Sequence, residues 1–268
     1  MTKRLLMQSD DYGITGAVSA GIRTAIEFGL IRNTGLFVNM PASEKAARDI
    51  LAYDVCLGID INYVCGKPVS DPARVPHMVD EKGDFISSGK MAKRSKLLHM
   101  DKLNLISTFE EDPYPYKEVL LETENQVKRF IELTGKKPEY MHPHSLMSDN
   151  CYRAAREIAE KYGIFHSLDM MHRYRILPGT FEGAKGSGIE AQMEYDVKGN
   201  LICNALPTMG SEETCYFICH CGWVDYELFG YTSLTLRRLK DLYAVTDPEL
   251  KEYIMKNDIQ LITYRDIK

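Results

Sequence analysis

Two adjacent aspartates near the start of the chain, Asp10 and Asp11, are of a type that could do chemistry. They lie shortly after an apolar run, residues 5–7, which indicates a buried strand. Neighbouring side chains of an extended chain point to opposite sides, so one carboxylate could face a metal ion and the other a reacting water. A turn is the alternative, because Asp and the following Gly13 are favoured turn residues.

A second candidate is the segment His142-Pro143-His144. Its alternating spacing could place both imidazoles on one side of an extended segment. Imidazole together with carboxylates suits Zn²⁺ and related divalent ions. The alternative is a pair of loop histidines that bind backbone groups.

A third candidate is His220, which lies between Cys219 and Cys221. The triplet could suggest zinc, but strand alternation directs the two cysteines away from His220 and predicts that they pack in the core. His220, at the end of an apolar strand, could act as a general acid or base, or could be structural.

The other four histidines carry weaker signals. His77, His99 and His172 lie in loop or polar contexts and are predicted to be surface residues, whereas His166 stays ambiguous. The sequence carries no serine or cysteine nucleophile signature and no phosphate-binding glycine motif.

Short apolar runs alternate along the chain with amphipathic helical patterns. The predicted strands are residues 5–7, 34–38, 55–61, 140–141, 164–165, 215–219 and 260–264. The predicted helices are residues 18–26, with Gly29 as the cap at its end, and residues 116–134, 152–162, 233–243 and 248–256. This alternation indicates parallel strands and an α/β fold.

The candidate residues lie at or just after the ends of predicted strands, and Asp60 lies near the end of the strand over residues 55–61. Because the carboxyl ends of the parallel strands of a barrel open onto one face, the sequence predicts that these side chains meet there.

The length of 268 residues suits one barrel domain over residues 1–268, with a loop-rich excursion at about 62–115 that could be a lid or have some structure of its own.

The net charge of −5, from 33 Lys+Arg against 38 Asp+Glu, disfavours a nucleic-acid partner. Seven cysteines, an odd number, favour a reducing cytoplasm. The first apolar run is too short for a signal peptide, and no run predicts a membrane span.

Taken together, the motifs resemble the YdjC-like carbohydrate deacetylases over nearly the whole chain. Residues 8–13, QSDDYG, resemble the family's opening N-A-D-D-F-G, residues 57–62 its G-x-H-x-N region, and residues 220–225 its H-P-G-x-x-D. Residues 33–41, 75–85, 135–138 and 237–264 are also similar to family segments. Any one motif is short, but their order and spacing are specific.

The resemblance implies a distorted TIM-like (β/α) barrel of the polysaccharide-deacetylase type. It also implies a divalent metal ion, with Asp11 and His144 at two ligand positions. Asp60 stands at the third, where the family usually has His, and His142 stands where the family often has Asp. We therefore expect an altered ligand set of Asp11, Asp60 and His144, with His142 as a further candidate. Two carboxylates favour Mg²⁺ first, with Mn²⁺ or Zn²⁺ as alternatives.

The implied reaction is hydrolysis of the N-acetyl group of an amino sugar or short chitooligosaccharide, phosphorylated or not. Asp10 would be the general base and His220 the general acid. The expected substrate-binding residues are Tyr12, Arg175 and Trp223, with Tyr63 and Phe85 as further rings for stacking on sugar faces. The family also tends to form homodimers.

Two other functions stay open at this point. One is a glycoside hydrolase acting on a phospho-disaccharide of the cellobiose-phosphate type, which would need two carboxyls flanking the bond. The other is a sugar-binding relative that has lost catalysis, although Asp10 and His220 argue against that loss.

Overall fold

A sheet of eight parallel strands positions the candidate residues. The computed structural model describes residues 2–100, 106–179 and 188–267. In these ranges the strands are β1 (Lys3–Tyr12), β2 (Asn33–Leu36), β3 (Cys56–Ile61), β4 (Leu97–Met100), β5 (Ser107–Phe109), β6 (Tyr140–Pro143), β7 (Phe165–His166), β8 (Arg175–Ile176), β9 (Thr214–Cys219) and β10 (Ile259–Ile262).

The large sheet follows the order β7-β6-β3-β2-β1-β9-β8, with β10 beside the first half of β1. Strands β4 and β5 form a separate antiparallel pair. Along the described strands this path does not close on itself, so the sheet is a curled half-barrel with β7 and β8 at its edges. The expected α/β fold with a distorted barrel is therefore confirmed.

Helices connect most of the parallel strands. They are α1 (Gly16–Glu27), α2 (Ser43–Ile50), α3 (Ser88–Arg94), α4 (Tyr116–Thr134), α5 (Asp149–Tyr162), α6 (Ser167–Arg173), α7 (Ile189–Glu194), α8 (Val197–Gly199), α9 (Leu236–Thr246) and α10 (Pro248–Lys256). Helix α4 shows why local patterns predicted several of them well: Val127 and Phe130 are fully buried on one face, and Gly135, with φ of 72°, ends the helix in the left-handed conformation.

Strand β1 lies at the centre of the sheet and is buried along most of its length. Every residue from 5 to 12 is buried, because β1 pairs with β9 on one side and with β10 and then β2 on the other. Buried parallel strands read as continuous apolar runs, and the polar residues that interrupt this one therefore need partners inside the protein.

The predicted loop-rich stretch, residues 62–115, contains α3 and the β4–β5 pair, although its residues 101–105 lie outside the described ranges. Glu122 of α4 holds its start, because the two carboxylate oxygens accept hydrogen bonds of 2.9 Å from the backbone N–H groups of Val69 and Ser70. Its far end pairs with the chain just after β6, where the Ser107 N–H donates to the Met147 carbonyl over 2.6 Å. The excursion thus has structure of its own.

Within the described ranges, no helix combines the length and the apolar character required to cross a bilayer.

Candidate active site

The candidate residues meet at the carboxyl edge of the sheet, where polar contacts join them across four strands. Asp10 and Asp11 lie in β1, Asp60 in β3 and His142 in β6. His144 follows β6 and His220 follows β9. Contacts below link all six, so the predicted convergence of the strand-end residues is what the fold produces.

Asp10 lies between two histidines. Its Oδ2 is 3.3 Å from His142 Nε2 and 3.9 Å from His220 Nε2. Its Oδ1 accepts a hydrogen bond from the Gln8 amide, whose own oxygen accepts from the hydroxyls of Tyr216 and Tyr264. Burial alone would raise the pKa of Asp10, but the nearby imidazoles outweigh burial and lower the pKa below its usual value. Asp10 is therefore ionised at neutral pH.

Asp11 binds a different set of partners. Its Oδ2 accepts a hydrogen bond of 2.5 Å from Arg238, and its Oδ1 is 2.9 Å from His144 Nδ1. Its backbone has a φ of 71°, in the left-handed region that few residues other than glycine adopt. Burial would raise the pKa of Asp11, but His144 and Arg238 lower it well below the usual value.

Asp60 supports that backbone. Its Oδ2 accepts a hydrogen bond of 2.8 Å from the Asp11 N–H. Its Oδ1 lies over Gly35 of the neighbouring strand, only 1.7 Å from where a Cβ at that position would be, so a larger residue at Gly35 would displace the carboxylate. Burial first, and then repulsion from Asp10 and Asp11, raise the pKa of Asp60 well above its usual value.

His220 is held through its backbone. Its N–H donates over 2.8 Å to the carboxylate of Asp241, which Arg237 also binds from the same helix, α9. Its imidazole is about one quarter exposed and therefore accessible to a ligand. Burial lowers the pKa of His220, and attraction to Asp11 and Asp10 only partly offsets that effect.

Three residues of α9 complete the site without having been assigned a role from the sequence: Arg237, Arg238 and Asp241. Arg238 and Asp241 are 1% exposed and Arg237 is 3% exposed. Helical periodicity could have found them, since Arg238, Asp241, Leu242 and Val245 share the spacing of one buried face. Charged residues at core-facing positions are a signal of internal ion pairing.

A divalent cation would suit part of this cluster. Asp11 Oδ1 and Asp60 Oδ1 are buried acceptors without a hydrogen-bond donor, and Asp11 Oδ1 lies close to His144 Nδ1 without hydrogen-bond alignment. Two ligand atoms at ordinary distances from one ion lie about 3 Å apart, as this pair does. In the described part of the chain, however, no three His, Cys, Asp or Glu side chains form a ready-made metal cluster. The pair Asp11 and His144 fits a cation, whereas Asp60 is turned toward Gly35 and the Asp11 backbone.

The cysteines around His220 behave as strand alternation predicted. Cys219 and Cys221 are buried on the same side, with their sulfurs 3.6 Å apart. Cys219 donates to the Gln8 carbonyl, and the Cys221 N–H donates to the Ser9 hydroxyl. Both residues pack against β1 and leave His220 to face the cluster.

The three expected substrate-binding residues lie in different environments. Trp223, three residues after His220, is 36% exposed and packs edge-on against Tyr243. Tyr12 is fully buried and its hydroxyl donates to the Ala46 carbonyl, which corrects the expectation that its ring meets a sugar. The physical reason is the register shift in β1 between residues 9 and 12, together with the turned backbone at Asp11.

Arg175 also lies apart from the cluster. It opens β8 and is paired in register with Cys215, near the amino end of β9. Its guanidinium is engaged by both carboxylate oxygens of Glu213 and by Thr208. The substrate role implied by the resemblance therefore does not match its position.

Two further rings considered for sugar stacking are buried. Tyr63 is 0% exposed and Phe85 is 5% exposed. His77, His99 and His172 are exposed, as predicted. The ambiguous His166 is buried, and its Nδ1 accepts a hydrogen bond from the Leu168 N–H at the start of α6. Its role is therefore structural in this arrangement.

Comparison with known proteins gives the chain a family. A model of the family described as "YdjC-like protein" matches residues 4–256. The "Carbohydrate deacetylase" of Clostridium beijerinckii is 24% identical over 271 residues, which cover 98% of this chain and 100% of that protein. The "Chitooligosaccharide deacetylase" of Escherichia fergusonii is 24% identical and covers 100% of both chains.

A solved structure supports the fold. The "putative cellobiose-phosphate cleavage protein" of Enterococcus faecalis superposes with a TM-score of 0.74. The two chains are 20% identical, and the match covers 100% of this chain and 99% of the other, so the likeness concerns the fold alone. Because the family model matches almost the whole chain, the protein belongs to the YdjC-like family.

Proposed function

We propose that this protein is a carbohydrate deacetylase that hydrolyses the N-acetyl group of an amino sugar or short chitooligosaccharide. Relatives that match the chain from end to end are named as carbohydrate and chitooligosaccharide deacetylases. The observation that carries the proposal is the placement of Asp10 Oδ2 within 3.9 Å of His220 Nε2, because hydrolysis of an amide needs both a base and an acid.

Asp10 is the general base of this proposal. It is ionised, its Oδ1 is held by Gln8, and its Oδ2, which lies near both His142 and His220, takes a proton from the attacking water. The water oxygen then bonds to the acetyl carbonyl carbon, and the carbonyl oxygen gains the negative charge. A general base of this kind contributes about 10²- to 10⁴-fold to the rate.

His220 is the general acid, and its lowered pKa makes the source of its proton part of the mechanism. A neutral imidazole is too weak an acid to protonate the departing amine. It can, however, first accept the proton that Asp10 has taken from water. The 3.9 Å between Asp10 Oδ2 and His220 Nε2 permits this transfer after a small movement. His220 then protonates the departing nitrogen as the carbon–nitrogen bond breaks, and acetate and the free amine are released.

A divalent metal ion belongs to the proposal as a cofactor. Asp11 and His144 would hold it, with Asp60 as the predicted third ligand and Mg²⁺ as the preferred ion ahead of Mn²⁺ and Zn²⁺. When bound, the ion supplies a Lewis acid beside the acetyl carbonyl. His142 is less suited to this role, because both of its ring nitrogens already have partners.

The substrate is proposed to approach along the exposed segment after His220. Trp223 offers a ring face to a sugar, and Tyr226 and Phe229 of the same segment are 92% and 57% exposed. Aromatic rings of this kind are suited to the apolar faces of pyranose sugars.

Acetate release tests the proposal directly. N-acetylglucosamine oligomers of increasing length, with and without a 6-phosphate, are incubated with the protein and Mg²⁺, and acetate and free amine are measured together. We expect both products in equal amounts. A cut glycosidic bond without acetate would instead support the phospho-disaccharide hydrolase, and binding without any product would support a sugar-binding relative.

Asp10→Asn and His220→Asn test the assigned roles. We expect each to lower kcat by about 10²- to 10⁴-fold, because each replaces a proton-transfer group by an amide that cannot transfer a proton at neutral pH. Glu213→Gln, at the other end of the sheet, is the matched carboxylate control and should keep wild-type activity. Activity of D10N equal to that of E213Q would contradict the base assignment.

Metal titration followed by calorimetry tests the ligands without relying on turnover. After treatment with a chelator, the wild-type protein, D11N, D60N and H144N are each titrated with Mg²⁺ and with Mn²⁺. We expect D11N and H144N to lose most of the binding. Retained binding in D60N would restrict Asp60 to supporting the Asp11 backbone.

The homodimer and the cytoplasmic location stay predictions. Light scattering of the purified protein would test the first, and cell fractionation the second.

A further inference from the structure

His142 connects Asp10 to a hydroxyl in the interior. Its Nε2 faces Asp10 Oδ2 at 3.3 Å, and its Nδ1 lies 2.7 Å from Ser167 Oγ. The His142 side chain is 3% exposed and Ser167 is fully buried. The three side chains therefore form a chain of polar contacts beneath the open part of the site.

The secondary structure fixes the positions of His142 and Ser167. His142 lies in β6, where its register partner across the sheet is Asp60 of β3. Ser167 is the first residue of α6, directly after β7, which pairs with β6. Neither backbone can shift without disturbing the sheet.

The two partners of His142 also favour one position for the proton of its ring. A neutral imidazole has one donor and one acceptor. A carboxylate only accepts, whereas a serine hydroxyl can donate, so the tautomer that fits both partners carries its proton on His142 Nε2. Nδ1 is then the acceptor and the Ser167 hydroxyl donates to it.

We propose that Ser167 and His142 are positioning residues for Asp10. Ser167 holds the imidazole by its Nδ1, and the Nε2–H then holds Asp10 Oδ2 at the face from which His220 is within 3.9 Å. This inference rests on the proposed role of Asp10 as the general base. It also assigns His142 a function other than metal binding, because both ring nitrogens are engaged.

A base oriented by a second group that is itself hydrogen-bonded is a recurrent arrangement in hydrolases, where the orienting group affects kcat more than substrate binding. Here the chain runs from hydroxyl to imidazole to carboxylate, and the carboxylate faces the reaction. Gln8 restrains the other oxygen of Asp10, so the carboxylate is held at both ends.

The test compares two serines that each begin a helix. Ser167→Ala removes the hydroxyl that binds His142, and Ser43→Ala removes an equally buried hydroxyl at the start of α2. We expect S167A to lower kcat about tenfold, the size expected for losing one hydrogen bond, with KM unchanged. A kcat of S167A equal to that of S43A would overturn the proposal, as would a loss confined to KM.

¹⁵N NMR of histidine-labelled protein gives a readout that does not depend on turnover, with His142 assigned from the spectrum of H142N. We expect Nε2 of His142 to be protonated in the wild-type protein. The Nδ1 resonance should shift in S167A, and the Nε2 resonance should shift in D10N. A wild-type spectrum with the proton on Nδ1, or Zn²⁺ converting Nε2 to a metal-bound nitrogen, would overturn the proposal.

The activity of D10N and the NMR spectrum of D10N distinguish a failure of this inference from a failure of the proposed function. Wild-type activity in D10N would remove the base assignment, whereas the shift of the His142 Nε2 resonance in D10N reports the positioning contact regardless of the substrate.

Discussion

The two ends of the sheet each contain an arginine–carboxylate pair, in very different surroundings. At the carboxyl end, Arg238 and Asp11 are both 1% exposed. At the amino end, Arg175 and Glu213 are 37% and 30% exposed. The chemical groups are nearly the same, so the difference isolates the effect of burial.

The comparison shows what burial adds to an ion pair. The hydrogen bond from Arg175 lowers the pKa of Glu213 to about 2. Water nevertheless screens this pair, so removal of either partner should lower the free energy of unfolding only slightly. Asp11 cannot be left alone, because an unpaired buried charge costs several kcal/mol. The carboxyl end therefore confines its charged groups to one arrangement, which suits a reaction centre.

The remaining surface of the amino end supports the same contrast. A groove there is lined mainly by aliphatic and aromatic side chains, among them Phe28, Leu30, Ile254, Met255 and Leu261. Its charged residues, Glu27, Arg32 and Lys251, are exposed or half-buried rather than buried in a cluster. The carboxyl end, by contrast, brings several aspartates, histidines and arginines together out of water.

The largest effect should come from Arg238→Met. Removing the guanidinium leaves Asp11 buried with His144 alone, so we expect the free energy of unfolding to fall by about 3–5 kcal/mol. Urea denaturation of the variant and the wild-type protein measures the difference. A loss no larger than that of an exposed pair would show that Arg238 does not neutralise Asp11.

Gly35→Ala should be the next most damaging change. Its Cβ would lie 1.7 Å from Asp60 Oδ1, so the buried carboxylate must move and release the Asp11 N–H. We expect a loss of about 3 kcal/mol in the free energy of unfolding, together with reduced deacetylation. Gly16→Ala is the control, since no atom lies within 4 Å of a Cβ there. Equal behaviour of the two variants would contradict the contact.

Acid should destabilise the carboxyl end through His166. Burial first, and then the positive charge of Arg156, lower its pKa from 6.5 to about 3. As the pH falls, His166 therefore binds a proton near pH 6.5 in the unfolded chain but only near pH 3 in the folded protein. Stability from this group is complete above pH 6.5 and is lost as the pH falls toward 3. Between pH 7 and 5 we expect a loss of about 2 kcal/mol.

His166→Asn should remove that part of the pH dependence while keeping an acceptor for the Leu168 N–H. Denaturation curves of both proteins at several pH values test this. Parallel curves for the two proteins would show that His166 does not contribute.

The smallest effect should come from Arg175→Met. The pair with Glu213 is partly exposed, so we expect a loss of less than about 1 kcal/mol and unchanged kcat and KM. A marked rise in KM would restore the substrate role that the family resemblance implied for Arg175.

Several parts of the fold could be predicted because their signals are local. The helix over residues 116–134 and the helix over 248–256 begin and end where the sequence indicated, since Gly135 and Pro248 mark their boundaries. Helix α5 begins three residues earlier than predicted because Ser148 caps it. Helix α3 and the β4–β5 pair were not predicted individually, because their short segments lack a clear period.

The site was predictable in part for the same reason. Asp10, Asp11, Asp60, His142, His144 and His220 follow apolar runs whose ends meet in a parallel sheet, and the contacts described above join them. Arg238 and Asp241 were missed because their partners lie 227 and 21 residues away along the chain. The burial of Tyr12 depends on the left-handed backbone at Asp11, which no local sequence pattern predicts.

The sequence by itself determined the alternation of strands and helices and the set of reactive residues at the strand ends, because hydrophobic period and residue type are local properties. Only the tertiary structure decided that Asp10 is held by His142 and Gln8, that Asp11 is held by Arg238 and His144, and that Arg175 lies at the opposite end of the sheet. Ion pairing and pKa depend on distance and burial, and both are set by segments far apart in the chain.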